Sequence, residues 1–331
     1  MMETDKTLVL IDAYSQIFRA FYAIRSLTNA KGEPVNAAFV FTKLLLKLEQ
    51  LYPSSAGAML FDCGKVAFRT EILPEYKANR PPMPDDLKRQ MPLIKHIADA
   101  FGWQLFQHEN WEADDLIGGF AGKYTSYQVQ IVSSDKDLSQ LVDDRVVMLV
   151  PSASGFEKRG KAEVTAKFGV APELIVDYLA LLGDASDNIP GVPGIGPKSA
   201  VELLNTFGAA ANWLNTPEKL ADSKYSKKLF AHLDKLAKNR ELIRLKTVLP
   251  PDFDLPEPPE RRTPDWQEIG RICRENQFKS ILKDLPEKEV VPAVDVSDED
   301  DLFAFAAVQK CAKMEKGSPE ANDDVRQLEL F

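Results

Sequence analysis

The sequence has 331 residues, 44% hydrophobic and 27% charged, which is typical of soluble globular proteins and excludes a disordered chain. No apolar run approaches the roughly 18 residues of a membrane span and the first residues are too polar for a signal peptide, so we expect a cytoplasmic protein. Three scattered histidines and three separated cysteines indicate neither a zinc site nor a disulfide framework, and a net charge of −9 by itself argues against a polyanionic partner.

Strand-length apolar runs alternate with helical spacing in the first half of the chain. The predicted strands are Thr7–Ile11, Gly57–Phe61, Val129–Val132 and Val146–Val150, and the predicted helices are Tyr14–Ile24, Ala37–Leu51, Asp86–Phe101 and Ala113–Tyr124. This alternation predicts an α/β core over residues 1–170, with a mostly parallel central sheet and flanking helices. Ligands of such sheets gather at the carboxyl ends of the strands.

After residue 170 the pattern becomes helical, and we predict a second, helical region over residues 171–285. Its predicted helical segments are Pro172–Leu182, Lys198–Phe207, Pro217–Ala221, Ser226–Leu245 and Asp265–Gln277. From residue 286 to residue 331 the chain is acidic and interrupted by prolines, which predicts a disordered tail.

The negative charge is concentrated in this tail. Residues 286–331 contain twelve acidic and five basic residues, so they carry −7 and leave −2 for the first 285 residues. If metal ions neutralise the nine clustered acids described next, the other residues of the segment 1–285 carry a net charge of about +7, which suits binding to a nucleic acid. On charge alone, a mildly acidic protein with no polyanionic partner remains the alternative.

Nine carboxylates fall in five short clusters, each where a predicted element begins or ends. They are Asp12; Asp62; Glu112, Asp114 and Asp115; Asp135 and Asp137; and Asp184 and Asp187. A single cluster is more often a helix cap or a turn. Five clusters of carboxylates at one edge of a sheet repel each other unless cations neutralise them. Because all the ligand atoms are oxygens, the cations expected are Mg²⁺ or Mn²⁺. Two ions about 4 Å apart can clamp a scissile phosphate, one activating water and the other stabilising the leaving oxygen.

The sequence resembles the 5′-nuclease domain of bacterial DNA polymerase I and its flap-endonuclease relatives over roughly residues 5–285. The matching segments include L-I-D-A-Y, F-D-C-G-K-V-A-F-R, Y-K-A-N-R-P-P, W-E-A-D-D, S-S-D-K-D-L and G-D-A-S-D-N-I-P-G-V-P-G-I-G-P-K. The resemblance implies a PIN-like nuclease core whose two metal ions are held at the nine acids. The glycine that the family has after its first aspartate is Ala13 here. No polymerase segment is matched, so we expect a nuclease that serves a polymerase in trans.

The resemblance also implies an activity. We expect 5′→3′ exonuclease and 5′-flap endonuclease cleavage in primer removal and DNA repair, which leaves 5′-phosphate and 3′-hydroxyl ends. We expect Asp12, Asp62, Glu112 and Asp114 around one ion, and Asp135 with Asp137 around the other. The roles of Asp115, Asp184 and Asp187, as ligands or through water, are open at this point.

Residues 68–95 resemble the family's mobile gateway over the active site. Lys77 and Arg80 are the candidate catalytic cations that draw the phosphate toward the metals, and the ring of Tyr76 is a candidate stacking surface for an unpaired base. Arg19 is expected to join them from the first helix, and Arg69 is a weaker candidate. The alternative is a solvated surface segment.

Residues 184–200 contain a glycine- and proline-rich motif followed by a helix. Its candidate DNA-binding residues are Gly191, Gly194, Gly196, Lys198 and Ser199. Backbone N–H groups at such a helix start can bind a phosphate, whereas Pro197 excludes a nucleotide-binding P-loop. The resemblance implies a helix-hairpin-helix element, with a K⁺ ion, that grips duplex backbone, and thus that residues 171–285 are a helical DNA-binding region. An ordinary interhelical turn is the alternative.

The chain ends in Q-L-E-L-F, which resembles the peptide by which bacterial replication proteins bind the sliding clamp. Gln327, Leu328, Leu330 and Phe331 are the candidate partner-binding residues, and a chance tail is the alternative. We expect a monomer. A non-catalytic DNA-binding adaptor and an RNA-directed nuclease remain the competing functions; the first does not need nine acids, and the second does not need the duplex-binding motif.

Overall fold

A computed structural model describes residues 6–53, 55–64, 66–152, 155–253, 255 and 257–286. The predicted tail and the candidate clamp-binding residues Gln327, Leu328, Leu330 and Phe331 lie outside the described residues. Among the residues that are described, no helix is long and apolar enough to cross a membrane.

A six-stranded sheet forms the centre of the molecule. Its strands are β1 (Thr7–Asp12), β2 (Ala56–Leu60), β3 (Gln104–Phe106), β4 (Gln128–Val132), β5 (Val146–Ser152) and β6 (Gly155–Arg159). They lie in the order β3-β2-β1-β4-β5-β6, and all neighbours are parallel except β5 and β6. The predicted mostly parallel sheet is confirmed.

The apolar run of β1 is explained by burial on both faces of the sheet. Leu8 and Leu10 belong to one hydrophobic cluster, Val9 and Ile11 to the other, and all four are 0% exposed. Successive strand residues point to opposite faces, so a continuous apolar run is what a strand covered on both sides requires.

Helices cover both faces. Six precede or follow the strands: α1 (Ala13–Ala23), α2 (Asn36–Leu51), α3 (Ala67–Ile72), α4 (Asp85–Ala100), α5 (Ala113–Lys123) and α6 (Lys161–Phe168). The remaining ones are α7 (Ile175–Leu182), α8 (Pro197–Phe207), α9 (Ala210–Asn215), α10 (Ser226–Phe230), α11 (Leu233–Ile243), α12 (Trp266–Glu275) and α13 (Lys279–Asp284). Between α7 and α8 lies a two-stranded hairpin of β7 (Gly183–Asp184) and β8 (Ile189–Pro190).

The differences from the predicted elements have local causes. The predicted helical segment Ser226–Leu245 is divided into α10 and α11 around Ala231 and His232. The strands β3 and β6 were not predicted, because β3 has three residues and β6 is a partly exposed edge strand without a long apolar run. Pairing with a neighbouring strand stabilises such short segments, and their own composition does not reveal it.

The end of the predicted helical region returns to the α/β core. The amide of Gly57 donates to the carbonyl of Pro259 (2.8 Å), and the amide of Arg262 donates to the carbonyl of Gly102 (3.1 Å). The following helices α12 and α13 pack into the hydrophobic cluster that contains α2 and α4. Within residues 171–285, the last two helices, α12 and α13, therefore pack against the α/β core and differ in their neighbours from the helices before them.

The strand order places a crevice at the edge where the acids gather. The chain runs from β1 outward to β2 and β3 and then crosses to β4 on the other side of β1. Connections leave β1 and β4 in opposite directions at their carboxyl ends, and such a switch point opens a binding crevice. Asp12 lies at the end of β1, and Asp135 lies three residues beyond the end of β4.

Candidate metal centre

Asp12 and Asp135 are linked by a serine at the carboxyl edge of the sheet. Asp12 caps α1 by accepting from the amide of Ser15 (3.2 Å) and is 5% exposed. The hydroxyl of Ser133 donates to the other oxygen of Asp12 (2.8 Å) and accepts from the amide of Asp135 (3.0 Å). Ser133 therefore sets the separation of the two carboxylates, although nothing in the sequence singles it out beyond its place before Asp135.

Asp62 and Asp114 complete a group that we call the cleft acids: Asp12, Asp62, Asp114 and Asp135. Asp62 accepts from the amide of Ala113 (2.7 Å), so it caps the start of α5, the helix that carries Asp114. The four acids line a cleft of about 260 Å³ together with Lys77 and Arg80. Four segments far apart in sequence thus direct carboxylates into one space.

A second group, the hairpin acids, consists of Asp137, Asp184 and Asp187. One carboxylate oxygen from each lies within 4.8 Å of the others. Asp184 belongs to β7 and Asp187 to the turn before β8, so the β7–β8 hairpin brings them to Asp137. We expected Asp137 to act with Asp135 and left the other two unassigned; the structure groups Asp137 with Asp184 and Asp187.

Glu112 lies under the gateway residues. Its carboxylate accepts from the ammonium of Lys77 (2.6 Å) and from Arg69 (3.1 Å). The hydroxyl of Tyr76 is 3.0 Å from Glu112 and 3.0 Å from Asp187. Tyr76 is only 6% exposed, and its hydroxyl holds two acids of the site; stacking of a base on its ring stays a prediction.

The loop that carries Lys77 is bound to the β7–β8 hairpin. Lys77 has a φ of 54°, a conformation that costs energy for a residue with a side chain. Its amide donates to the carbonyl of Asp187 (3.0 Å), and the side chain of Arg80 donates to the carboxylate of Asp187 (2.7 Å). The side chain of Asn79 reaches the carbonyl of Ala185 (2.8 Å). Both candidate catalytic cations are thereby held beside the acids.

Asp115 has a different environment from its neighbour Asp114. It is 0% exposed and accepts two hydrogen bonds from Arg69, at 2.6 and 2.9 Å. The amide of Lys246 donates to it as well (3.0 Å). Arg69, the weaker candidate for contact with the phosphate, is 1% exposed and is paired with Asp115 and Glu112. These contacts support a role for Asp115 in holding Arg69, and its role as a metal ligand stays a prediction.

The acids repel one another strongly in the protein without ions. Burial, together with the charges of Asp135 and Asp62, raises the pKa of Asp12 to about 7. Burial and neighbouring carboxylates also raise the pKa of Asp114 and of Asp137 well above the ordinary value. For Asp187, burial acts in the same direction, but the charges of Lys77 and Arg80 outweigh it and lower the pKa.

This arrangement fits divalent cations that prefer oxygen. The donors are carboxylates throughout, and Oδ1 of Asp137 is buried without a hydrogen-bond partner among the described residues. A buried polar atom without a partner requires an explanation, and an ion is one. Each of the two groups has about as many carboxylates as one divalent ion binds, so the two groups together fit two ions such as Mg²⁺ or Mn²⁺.

The glycine- and proline-rich motif forms the turn between α7 and α8. A methyl group at Gly191 would overlap the carbonyl of Leu182, so this glycine allows the close approach of two backbone segments. Gly194 has a φ of 75°, and Gly196 caps α8 with open space around it. Lys198 is exposed and Ser199 half-buried in the first turn of α8. The predicted helix-hairpin-helix geometry is present, and DNA contact by these residues stays a prediction.

Two further cations lie near the end of β5 and near the hairpin acids. The guanidinium of Arg19 donates to the carbonyl of Pro151 (2.6 Å), at the end of β5, and its DNA-binding role stays a prediction. Lys136 was missed, and its ammonium lies 3.1 Å from the carboxylate of Asp184. Its position between Asp135 and Asp137 is the signal that could have identified it.

Comparison with known proteins agrees with this architecture. Residues 7–169 match the family described as 5′-3′ exonuclease, N-terminal resolvase-like domain, and residues 170–266 match 5′-3′ exonuclease, C-terminal SAM fold. The 5′-3′ exonuclease of Aquifex aeolicus is 36% identical over 85% of this chain and 95% of its own length. The thermostable DNA polymerase I of Thermus thermophilus is 37% identical over 85% of this chain. The chain spans about a third of the length of that polymerase (33%).

Solved structures show the same fold. A bacteriophage T5 flap endonuclease in a pseudo-enzyme-product complex with DNA and metal ions has a TM-score of 0.60 and 25% identity, over 72% of this chain and 89% of that chain. The catalytic core of Rad2 in complex with DNA substrate has a TM-score of 0.58 over 86% of this chain and 92% of that chain. At 14% identity, Rad2 supports the fold alone.

Proposed function

The chain belongs to the 5′-3′ exonuclease family, and from this premise we propose that it hydrolyses phosphodiester bonds near the junction of single- and double-stranded DNA. The products are a 5′ flap or short 5′ oligonucleotides with 5′-phosphate ends. The observation that carries the proposal is the meeting of the cleft acids and the hairpin acids at one edge of the sheet. Buried carboxylates in this number are tolerable only beside cations.

The two acid groups would hold two ions, Mg²⁺ or Mn²⁺. When bound, the ions supply charge stabilisation of the scissile phosphate and activation of a water molecule at neutral pH. Asp12, Asp62, Asp114 and Asp135 would hold one ion, and Asp137, Asp184 and Asp187 the other, with Glu112 beside both Lys77 and Arg69.

Lys77 and Arg80 stabilise the negative charge that develops on the phosphate. Both side chains line the cleft, and both are paired with acids of the site in the protein alone. Once ions neutralise those acids, the two cations are free to turn to an incoming phosphate. Preorganised donors of this kind typically contribute the largest electrostatic part of catalysis.

The motif between α7 and α8 grips the duplex without selecting a sequence. The exposed Lys198 and the N-terminus of α8, where Gly196 is the cap, present positive charge to a phosphate. A K⁺ ion at this turn would add to it. We further propose that the residues 327–331 bind the sliding clamp and that the protein acts on flaps, nicks and 5′ ends in primer removal and repair.

One cleavage assay separates this function from the two alternatives. Labelled 5′-flap DNA, blunt duplex DNA and a matching single-stranded RNA are incubated with the protein in Mg²⁺ or in EDTA. We expect cleavage of the flap substrate that requires Mg²⁺. Cleavage of the RNA in preference to the flap would favour an RNA-directed nuclease, and binding without any cleavage would favour a DNA-binding adaptor.

Variants of the acids test the metal centre. We expect the double variant Asp135→Asn, Asp137→Asn to lose cleavage and to retain DNA binding, because it removes ligand charge from both groups. Asp144→Asn is the control, since Asp144 is an exposed acid that pairs with Lys161 away from the site. Cleavage at the normal rate by the double variant would contradict the two-metal proposal.

A further inference from the structure

The hairpin acids and the cleft acids differ in whether lysine or arginine side chains form ion pairs with them. Two of the hairpin acids have a cationic side chain close by: Lys136 lies 3.1 Å from Asp184, and Arg80 lies 2.7 Å from Asp187. Within the part of the chain that the structure describes, no lysine or arginine forms such an ion pair with any of the four cleft acids. An ion can therefore reach the cleft acids without breaking an ion pair between one of them and a protein cation.

Asp184 contacts three donor groups of the protein. Its Oδ1 atom accepts from the amide (2.9 Å) and the hydroxyl (2.6 Å) of Ser186, and it also faces the ammonium of Lys136. Asp184 is only 4% exposed, so water contributes little to balancing its charge. By contrast, Oδ1 of Asp137 is buried and has no hydrogen-bond partner among the described residues.

The position of Lys136 in the chain keeps its ammonium at this point. The residue lies between Asp135 and Asp137, at the start of the 3₁₀ turn Asp137–Leu141. Its side chain is 39% exposed, so it can swing toward solvent without disturbing the core. An ammonium that is held beside a ligand carboxylate and can also leave it competes with a metal ion for that carboxylate.

We propose that Lys136 is a displaceable counter-cation that lowers the affinity of the hairpin acids for a divalent ion. This inference rests on the proposed two-ion function. The ion at the cleft acids binds first and tightly, whereas the ion at the hairpin acids binds second, after the ammonium of Lys136 has left Asp184. The lysine also balances the charge of Asp184 while the second ion is absent.

The expected effect follows from the repulsion between the ammonium and a divalent ion. At a separation of about 5 Å in a water-like dielectric, removing one positive charge strengthens binding of a divalent ion about tenfold. Among the described residues, Lys136 forms an ion pair with Asp184 and with none of the cleft acids, so the affinity of the cleft acids should change less.

The experiment measures Mn²⁺ binding to the full chain without DNA, from the electron paramagnetic resonance signal of free Mn²⁺. The variants are Lys136→Met, Lys136→Gln and the conservative Lys136→Arg. Lys161→Met is the matched control, because Lys161 also pairs with an aspartate (2.9 Å) and its side chain is 41% exposed. It removes the same charge at a distance from the acids of the site.

We expect the weaker of two Mn²⁺ dissociation constants to fall about tenfold in Lys136→Met and Lys136→Gln. The tighter constant should stay within about twofold, and Lys136→Arg and Lys161→Met should resemble the parent protein. In EDTA, the neutral Lys136 variants should unfold at a lower temperature than the parent and recover more on addition of Mn²⁺.

Two results would overturn the inference in distinguishable ways. If the parent protein binds two Mn²⁺ ions and the neutral Lys136 variants bind them with unchanged constants, Lys136 has no such role and the two-ion proposal stands. If the parent protein binds no Mn²⁺, both proposals are overturned together.

Discussion

Replacing Asp114 and Asp115 one at a time by asparagine separates an ion ligand from a structural acid at adjacent positions. Asp114 lines the cleft, and burial with the charges of Asp135 and Asp12 raises its pKa well above the ordinary value. Asp115 instead accepts two hydrogen bonds from the buried Arg69. The two substitutions change the same atoms, yet the structure predicts stability changes of opposite sign in EDTA.

Asp115→Asn leaves the guanidinium of Arg69 buried with Glu112 as its remaining carboxylate partner, at 3.1 Å. Removing one member of a buried ion pair costs about 3–5 kcal/mol, a large part of the roughly 5–15 kcal/mol by which a native protein is stable. At about 2–4 °C per kcal/mol, the midpoint of thermal unfolding should fall by about 10 °C. Asp114→Asn removes a repelled charge and should raise the midpoint in EDTA.

The assay is thermal unfolding in EDTA and in saturating Mg²⁺, followed by circular dichroism. Asp115→Asn should be less stable in both media and should keep its gain in stability from Mg²⁺. Asp114→Asn should lose most of that gain. The reasoning is refuted if Asp115→Asn is as stable as the parent protein in EDTA and loses the effect of Mg²⁺, because Asp115 would then act as a ligand.

Three further outcomes are expected. Lys77→Met should slow single-turnover cleavage about 10²–10³-fold while DNA binding, measured by fluorescence anisotropy, changes little; an unchanged rate would remove Lys77 from the catalytic residues. Because the folded-state pKa of Asp12 is raised to about 7, folding takes up a proton, so the unfolding midpoint in EDTA should fall as the pH rises from about 5 to about 7; a rise would contradict this sign. A methyl group at Gly118 would overlap the carbonyl of Lys246, so Gly118→Ala should lower the free energy of unfolding by about 1–3 kcal/mol in urea titrations, and an unchanged midpoint would contradict the close packing.

The sequence by itself predicted where the acids lie, because parallel strands place all their carboxyl ends at one edge of a sheet. The apolar runs of β1, β2 and β4 are long enough to recognise, so the sequence predicts that Asp12, Asp62 and Asp135 lie together. The main helices and the turn between α7 and α8 followed from equally local signals.

The tertiary structure alone decided how the acids are divided and which cations accompany them. Asp137 meets Asp184 and Asp187 because the β7–β8 hairpin folds back onto the end of β4, a contact between residues 47 and 50 positions apart. Asp115 pairs with Arg69, 46 residues earlier, and Tyr76 is buried between Glu112 and Asp187. Periodicity along the chain reports which face of an element is buried, whereas the partner of a buried charge is selected by whichever distant segment packs there.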